Sequence, residues 1–418
     1  MTIEISVRRI AHAACLLAAV TGMASPDAGA ATHDGHGAPS AEPRMAKAAA
    51  RARPALSIGA AIAPDGRLWV VGLNPEGKLF AQNGDDRGLH WNPPQLPDTG
   101  NDKISADGEN RPKIAFGRDG QVVISYTQPL AKPYTGEIRM LRSTDGGKSF
   151  STPFTVHRDR QLITHRFESL AFDRAGVLHT VWIDKRDQLL AARNAGEASG
   201  KSAYAGAAIY RNESRDGGAS FGPDIKLADH SCECCRIALA PTPDGGIAAM
   251  WRHVFAPNIR DHGFARLGDE ARPPVRASFD DWRLDACPHH GPGLAAATQG
   301  GFHAVWFGDR AGRAAVRYGR LAADGRPQGE VQQLPDPRAE HADVVASGRQ
   351  VAIVWRSFDG SKTHVRAWLS ADDGANFVLK DLANSAEEND FPRLLASSKG
   401  MRVLWRTAKE IHVLPIDD

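Results

Sequence analysis

The chain reads as all-β, a seven-bladed β-propeller of four-stranded blades, with six blades as the alternative. Three observations predict this. An apolar run, a Gly-containing turn and a second apolar run ending in an aromatic residue recur through the chain. A second, Asp- and Gly-centred turn stands between several of these hairpins. The copies lie roughly 50 to 70 residues apart, the length that one four-stranded blade requires.

The first hairpin runs from Ile58 through Asp65-Gly66 to Trp69, the second from Ile114 through Asp119-Gly120 to Tyr126, and the third from Leu170 through Gly176 to Trp182. Three more end at Trp251, Trp306 and Trp355, and the last runs from Leu394 to Trp405. Asp-Gly between two apolar runs is a strong hairpin signal, because both central residues of the tight turn take positive φ. The last repeat, ending at Ile416, shows three strands; a strand from residues 45–56 would complete it and close the ring.

The second turn reads Ser143-Thr-Asp145-Gly-Gly147-Lys-Ser-Phe150, Ser214-Arg-Asp216-Gly-Gly218-Ala-Ser-Phe221 and Ser370-Ala-Asp372-Asp-Gly374-Ala-Asn-Phe377. A degenerate copy is Gly84-Asp-Asp86-Arg-Gly88-Leu-His-Trp91. With this Ser-x-Asp-x-Gly-x-x-Phe/Trp pattern the chain resembles the sialidase-like Asp-box (BNR-repeat) propellers. The resemblance covers nearly all of the chain beyond its N-terminus. In this reading Asp86, Asp145, Asp216 and Asp372 are structural: each carboxylate accepts backbone N–H bonds in a tight turn, and the glycine takes the awkward dihedral.

The resemblance to a sialidase would also imply three arginines on a substrate carboxylate, a Tyr nucleophile backed by Glu, and an Asp acid. The early Arg-Ile-Pro motif is missing, and Arg111-Pro112 does not match it. Of five tyrosines, only Tyr126 ends a second strand on the expected face. The expectation therefore leans away from an enzyme.

Arg8 and Arg9, the apolar stretch over 10–24 and Ala28-Gly29-Ala30 predict a secretion signal over residues 1–30. A flexible His-containing leader over 31–54 and a single propeller domain over 55–418 follow. A periplasmic or secreted monomer is expected. With 51 basic and 49 acidic residues, no strong field favours nucleic acid or an anionic membrane, and nothing after the signal is apolar and long enough to span a bilayer.

Four cysteines remain beyond the signal, in Cys232-Glu-Cys234-Cys235 and Cys287-Pro-His289-His290. The two knots lie about one repeat apart, each leading into a first strand. In a propeller those lead-ins ring one mouth of the axis, so distant thiols and imidazoles meet there. Thiolate with imidazole suits a soft or borderline metal ion. The expected ligand shell is Cys232, Cys235, Cys287 and one of His289 or His290, with Cys234 variable. His165, His253 and His341 are further candidates on the same rim. Cleavage after Ala30 would put His33 third in the chain, where an amine, two amides and imidazole make a square-planar nitrogen set; His36 follows closely. Together these predict copper, with zinc as the alternative.

The function expected is copper sequestration, delivery or resistance, with another periplasmic metal-handling protein as partner. An exo-sialidase-like glycoside hydrolase and a protein-interaction propeller with structural disulfides are the alternatives; a metal-dependent oxidoreductase is the other enzymatic form considered.

Overall fold

A computed structural model describes residues 55–195 and 204–416. The signal, the leader, His33, His36 and most of the expected closing strand lie outside the described residues.

Blade 1 holds β1 (Gly59–Ile62), β2 (Leu68–Leu73) and β3 (Leu79–Gly84). Blade 2 holds β4 (Lys113–Phe116), β5 (Val122–Pro129), β6 (Gly136–Ser143) and β7 (Phe154–Thr155). Blade 3 holds β8 (His165–Phe172), β9 (Leu178–Asp184), β10 (Ala207–Ser214) and β11 (Ile225–Ser231), with helix α1 (Arg186–Ala195) between its second and third strands. Blade 4 is β12 (Ala238–Pro241), β13 (Ile247–Arg252), β14 (His262–Arg266) and β15 (Val275–Arg276). Blade 5 is β16 (Gly293–Ala296), β17 (Phe302–Arg310), β18 (Arg313–Leu321) and β19 (Pro327–Gln333). Blade 6 is β20 (Glu340–Ser347), β21 (Gln350–Phe358), β22 (Thr363–Ser370) and β23 (Val378–Ser385). Blade 7 is β24 (Arg393–Ser397), β25 (Gly400–Arg406) and β26 (Ile411–Pro415).

Every blade is an antiparallel meander in chain order. The first strands touch in sequence, β1 to β4, β8, β12, β16, β20 and β24, and β24 touches β1 again, which closes the ring at seven blades. Among the described residues five sheets have four strands, and blades 1 and 7 have three. In blade 1 the fourth place is partly taken by the bridges Ala81↔Gln95 and Gly84↔Trp91.

The recurring aromatics explain why the hairpins stack. Trp69, Trp182, Trp251, Trp306, Trp355 and Trp405 are each no more than 2% exposed, and Tyr126 fills the same place in blade 2. Each such ring removes roughly 150–250 Å² from water, worth about 4–6 kcal/mol before entropy is charged against it. At the closing boundary Ile58, Leu68, Val70 and Phe80 pack with Leu404.

The Asp-centred turns behave as expected at three of four positions. Asp145 accepts from Lys148 N (2.9 Å), Ser149 N (3.0 Å) and Ser143 Oγ (2.7 Å). Asp216 accepts from Ala219 N and Ser220 N, and Asp372 from Asn376 N. The fourth needs correction. Asp85, not Asp86, accepts the backbone N–H groups of Arg87, Leu89 and His90, each at 3.0 Å. Asp86 instead faces Lys399 of blade 7 at 3.5 Å.

Candidate functional site at the axial mouth

The lead-ins to the first strands and the loops between second and third strands surround a cavity of about 1580 Å³. Glu109 and Asp390 line it and belong to a group of ion pairs that joins the lead-ins. Arg111 grips Asp390 through two nitrogens, at 2.8 and 3.1 Å. Arg236 meets Glu109 at 3.1 Å, Lys113 meets Glu168 at 3.4 Å and Arg393 meets Asp343 at 3.5 Å. Glu109 also accepts the backbone N–H groups of Arg236 and Gly291. Burial alone would push its carboxyl up, but Arg236 and His341 outweigh burial and hold it far below the usual carboxylate range. Burial draws the Arg236 guanidinium down to about 10.

These pairs decide what the arginines can do. Arg111 and Arg393 have carboxylate partners at the axis, and Arg252 donates to the backbone carbonyls of Arg260, His290 and Phe307. A clamp on a ligand carboxylate therefore cannot be built from them. Arg166 and Arg356, by contrast, line the open cavity.

The walls carry the accessible chemistry. Asp107 lies 3.8 Å from Arg166, Glu340 accepts from Arg356 at 2.8 Å, and Glu233 pairs with Lys185. Crowding by the walls raises the Asp107 carboxyl above its ordinary range, against the pull of Arg166. Its side chain is nevertheless 70% accessible. Tyr134 is 79% exposed and Phe358 54% exposed, and both flank the same cavity, from blades 2 and 6.

The two histidines of the second knot part company. His289 lines the cavity within electrostatic reach of Asp107. His290 enters a stack of rings: Phe307 at 4.3 Å on one face and His341 at 4.3 Å on the other, with Phe391 beyond His341 at 3.4 Å. Burial first, then His341, pulls His290 down to about 3. His165 is fully buried against His157 and bonds Gly136 O and Asp159. His253 packs on Phe255 and Trp251.

The cysteines do converge. Cys232, Cys234 and Cys235 have sulfur separations of 3.7, 3.9 and 4.0 Å. All four cysteines are free thiols. Cys287, from the next blade, interacts with Cys232 and Cys234. The compact thiol group is Cys232, Cys234 and Cys235; it includes Cys234, which was expected to vary, and contains neither Cys287 nor His289 nor His290. Hydrogen bonding from the neighbouring thiols, chiefly Cys234, holds Cys232 well below a normal thiol, while Cys234 and Cys235 are pushed up.

Sequence reasoning singled out the lead-ins but missed Asp107, Tyr134 and Phe358. Asp107 sits only two residues before Glu109, and a wider alignment of the lead-ins would have caught it. Tyr134 stands in an irregular loop and Phe358 at the very end of β21, where no repeat marks either.

No family model matches the chain, and no curated protein is a significant relative. Solved structures do share the architecture. A polysaccharide lyase described as an ulvan lyase, bound to a glucuronyl–sulfated rhamnose unit, superposes with TM-score 0.52 at 12% identity, covering 86% of this chain and 94% of that one. An α-L-arabinofuranosidase from Fusarium graminearum, with an iminosugar inhibitor, gives TM-score 0.50 at 14% identity, covering 75% and 92%. A weaker likeness is the NanB sialidase of Streptococcus pneumoniae, at TM-score 0.46 and 9% identity, covering 83% and 82%. The first two neighbours correct the expected copper-handling function: by their descriptions they are a polysaccharide lyase and an arabinofuranosidase. The paired histidines that argued for a metal site over disulfides are a rim residue and a ring in an aromatic stack, and neither joins the thiol group. Among the described residues no helix is long and apolar enough to cross a membrane. At these identities the likeness establishes the fold alone, a β-propeller shared with these enzymes.

Proposed function

We propose that the protein is a carbohydrate-processing propeller that binds a glycan in the axial mouth and cleaves it there, with Asp107 as proton donor. One observation carries the reading. The cavity sets two exposed aromatic faces, Tyr134 and Phe358, beside carboxylate–cation pairs on the walls of blades 2 and 6. A sugar ring offers an apolar C–H face and a rim of hydroxyls, which is what aromatic planes and charged hydrogen-bonding groups complement. Asp107 stands on the blade 2 wall, open to the cavity and 3.8 Å from Arg166, where a general acid could reach a bound sugar. Arg166, Lys185 and Arg356 supply positive charge for an acidic sugar. The shared fold with glycan-cleaving enzymes supports the reading, and the Ser-x-Asp-x-Gly turns support a place among the Asp-box propellers. An exo-sialidase in the strict sense is disfavoured, because Arg111, Arg252 and Arg393 are already bound within the protein.

The test is a panel of uronate-containing polysaccharides, arabinans and sialosides, read by new reducing ends and by unsaturated-product absorbance. Wild type should cleave at least one, and Asp107→Asn should lower the rate by about 10²–10⁴-fold with binding retained, the range for a lost general acid. Failure of wild type to bind or cleave any of the panel would overturn the proposal, as would full activity in Asp107→Asn.

A further inference from the structure

We propose that Cys232, Cys234, Cys235 and Cys287 form a closed four-thiolate site for one zinc(II) ion, a structural clasp between the lead-ins of blades 4 and 5. The role is distinct from metal handling and from glycan turnover.

The distances carry the argument. Three sulfurs lie 3.7, 3.9 and 4.0 Å apart. A tetrahedron with zinc–sulfur bonds of about 2.3 Å has sulfur–sulfur edges of about 3.8 Å. A disulfide would need about 2.05 Å, and the cysteines are unbonded to one another. The fourth vertex would come from another blade: Cys287 lines the open mouth together with Cys234, outside the compact group of three sulfurs, and would close on the ion when it binds.

The surroundings fit a structural ion. Cys232, Cys234 and Cys235 are 1%, 6% and 2% exposed, packed with Phe167, Ile183, Ile237 and Trp251. Four thiolates around Zn²⁺ carry a net charge of −2, which needs local positive charge. Arg260 Nη1 lies 3.5 Å from Cys232 Sγ, and Arg252 acts on the same thiols. Buried cysteines can simply pack as small apolar side chains. That reading explains three buried thiols, but not their tetrahedral-edge spacing or the thiol of the neighbouring blade facing the same mouth. An all-sulfur shell leaves no open position, so the site is structural rather than catalytic.

A second cluster, His290, Glu340 and His341, also brings three ligand atoms close together. It is the poorer site. Its imidazoles stack almost parallel, 19° apart, so their lone pairs run side by side instead of meeting at one ion.

Loading conserves charge and redox state: four thiols and one Zn²⁺ give the tetrathiolate and four protons released to solvent. The clasp would fix the bend at 232–236. That bend supplies Glu233 and Cys234 to the cavity wall and Arg236 to Glu109, which lines the same cavity.

The experiment uses the full chain purified under reducing conditions, incubated with zinc and dialysed. Expected results are one zinc per chain, thiols that react with a disulfide reagent only after chelation, and, with cobalt(II) substituted, the intense sulfur-to-metal absorption of a tetrahedral thiolate centre. Cys287→Ala, at the exposed vertex and least able to disturb packing, should weaken zinc binding by more than the roughly 10–100-fold that outer contacts command. Cys232→Ser should abolish the cobalt band. The proposal is overturned by four freely reactive thiols in zinc-treated protein, by disulfides in the protein as isolated, by unchanged zinc affinity in Cys287→Ala, or by retention of copper to the exclusion of zinc. None of these readouts depends on glycan turnover.

Discussion

Mild acid should destabilise this fold through its buried histidines. Burial draws His157 down to about 2, His290 to about 3, and His253 and His303 to about 4. Their ordinary value is 6.5. Each is therefore neutral in the folded chain at pH values where the unfolded chain has already taken a proton. As pH falls through 6.5 the unfolded state gains protons and the folded state does not, so stability is lost with falling pH until the folded values are reached. The slope is about 1.36 kcal/mol per pH unit for each fully titrating histidine. Between pH 7.5 and 5 that comes to about 2 kcal/mol each, and the four together to about 8 kcal/mol; His262 and His341, also drawn down by burial, act in the same direction. Glu109 does not blur this window: its depressed carboxyl contributes stability above the ordinary glutamate value of 4.5 and loses it only below that pH. His290→Phe isolates one contribution. The new ring keeps the stack between Phe307 and His341, and His290 Nδ1 is without a hydrogen-bond partner, so none is lost there. Urea denaturation followed by tryptophan fluorescence at several pH values from 7.5 to 5 reads the slope. The variant should lose about one proton of linkage across the window. A wild-type denaturation free energy that stays flat over this range would refute the reasoning, as would an unchanged slope in His290→Phe.

Two further substitutions test the frame. Asp390→Ala should cost about 3–5 kcal/mol in urea denaturation, because it leaves the Arg111 guanidinium buried without its partner; side-chain exposure is 6% and 2% across that pair. Gly301→Ala should cost on the order of 1–3 kcal/mol in thermal or urea unfolding, because residue 301 has φ +73° and an added Cβ would sit 2.1 Å from Leu321 O; a change below the error of the measurement would show that the turn relaxes freely.

The blades were legible in the sequence because their signals are local. A hairpin with an Asp-Gly turn and a buried aromatic announces itself within a dozen residues, and seven copies imply the ring. The lead-ins were legible for a topological reason: once the repeat is known, residues before each first strand must face one mouth. What failed depended on contacts between distant side chains. Asp85 and Asp86 both suit the degenerate turn, and only the folded backbone shows that the Asp85 carboxylate faces the N–H groups. His290 is adjacent to His289, yet Phe307 and His341 capture it in a stack that no periodicity encodes. Arg111, Arg252 and Arg393 stand near the mouth, but their partners, which remove them from ligand binding, come from other blades.

The axial ion pairs also explain how the ring is held in register without a shared strand being visible at its closure. A buried pair contributes little net stability compared with a well-packed apolar plug, because two desolvation costs oppose the attraction. Its directional demands, however, admit few arrangements. Here each pair joins different blades: Lys113 of blade 2 meets Glu168 of blade 3, Arg236 before blade 4 meets Glu109 before blade 2, and Arg393 of blade 7 meets Asp343 of blade 6. Asp390 does most. It takes Arg111 from blade 2, Ser57 Oγ at 3.0 Å and Ile58 N at 3.1 Å from the approach to blade 1, and itself leads into blade 7. One carboxylate thus ties both ends of the ring to a neighbour. A slip of one residue in any lead-in would leave one of these charges buried and unpaired, so the pairs select a single set of positions for the mouth loops that follow from them.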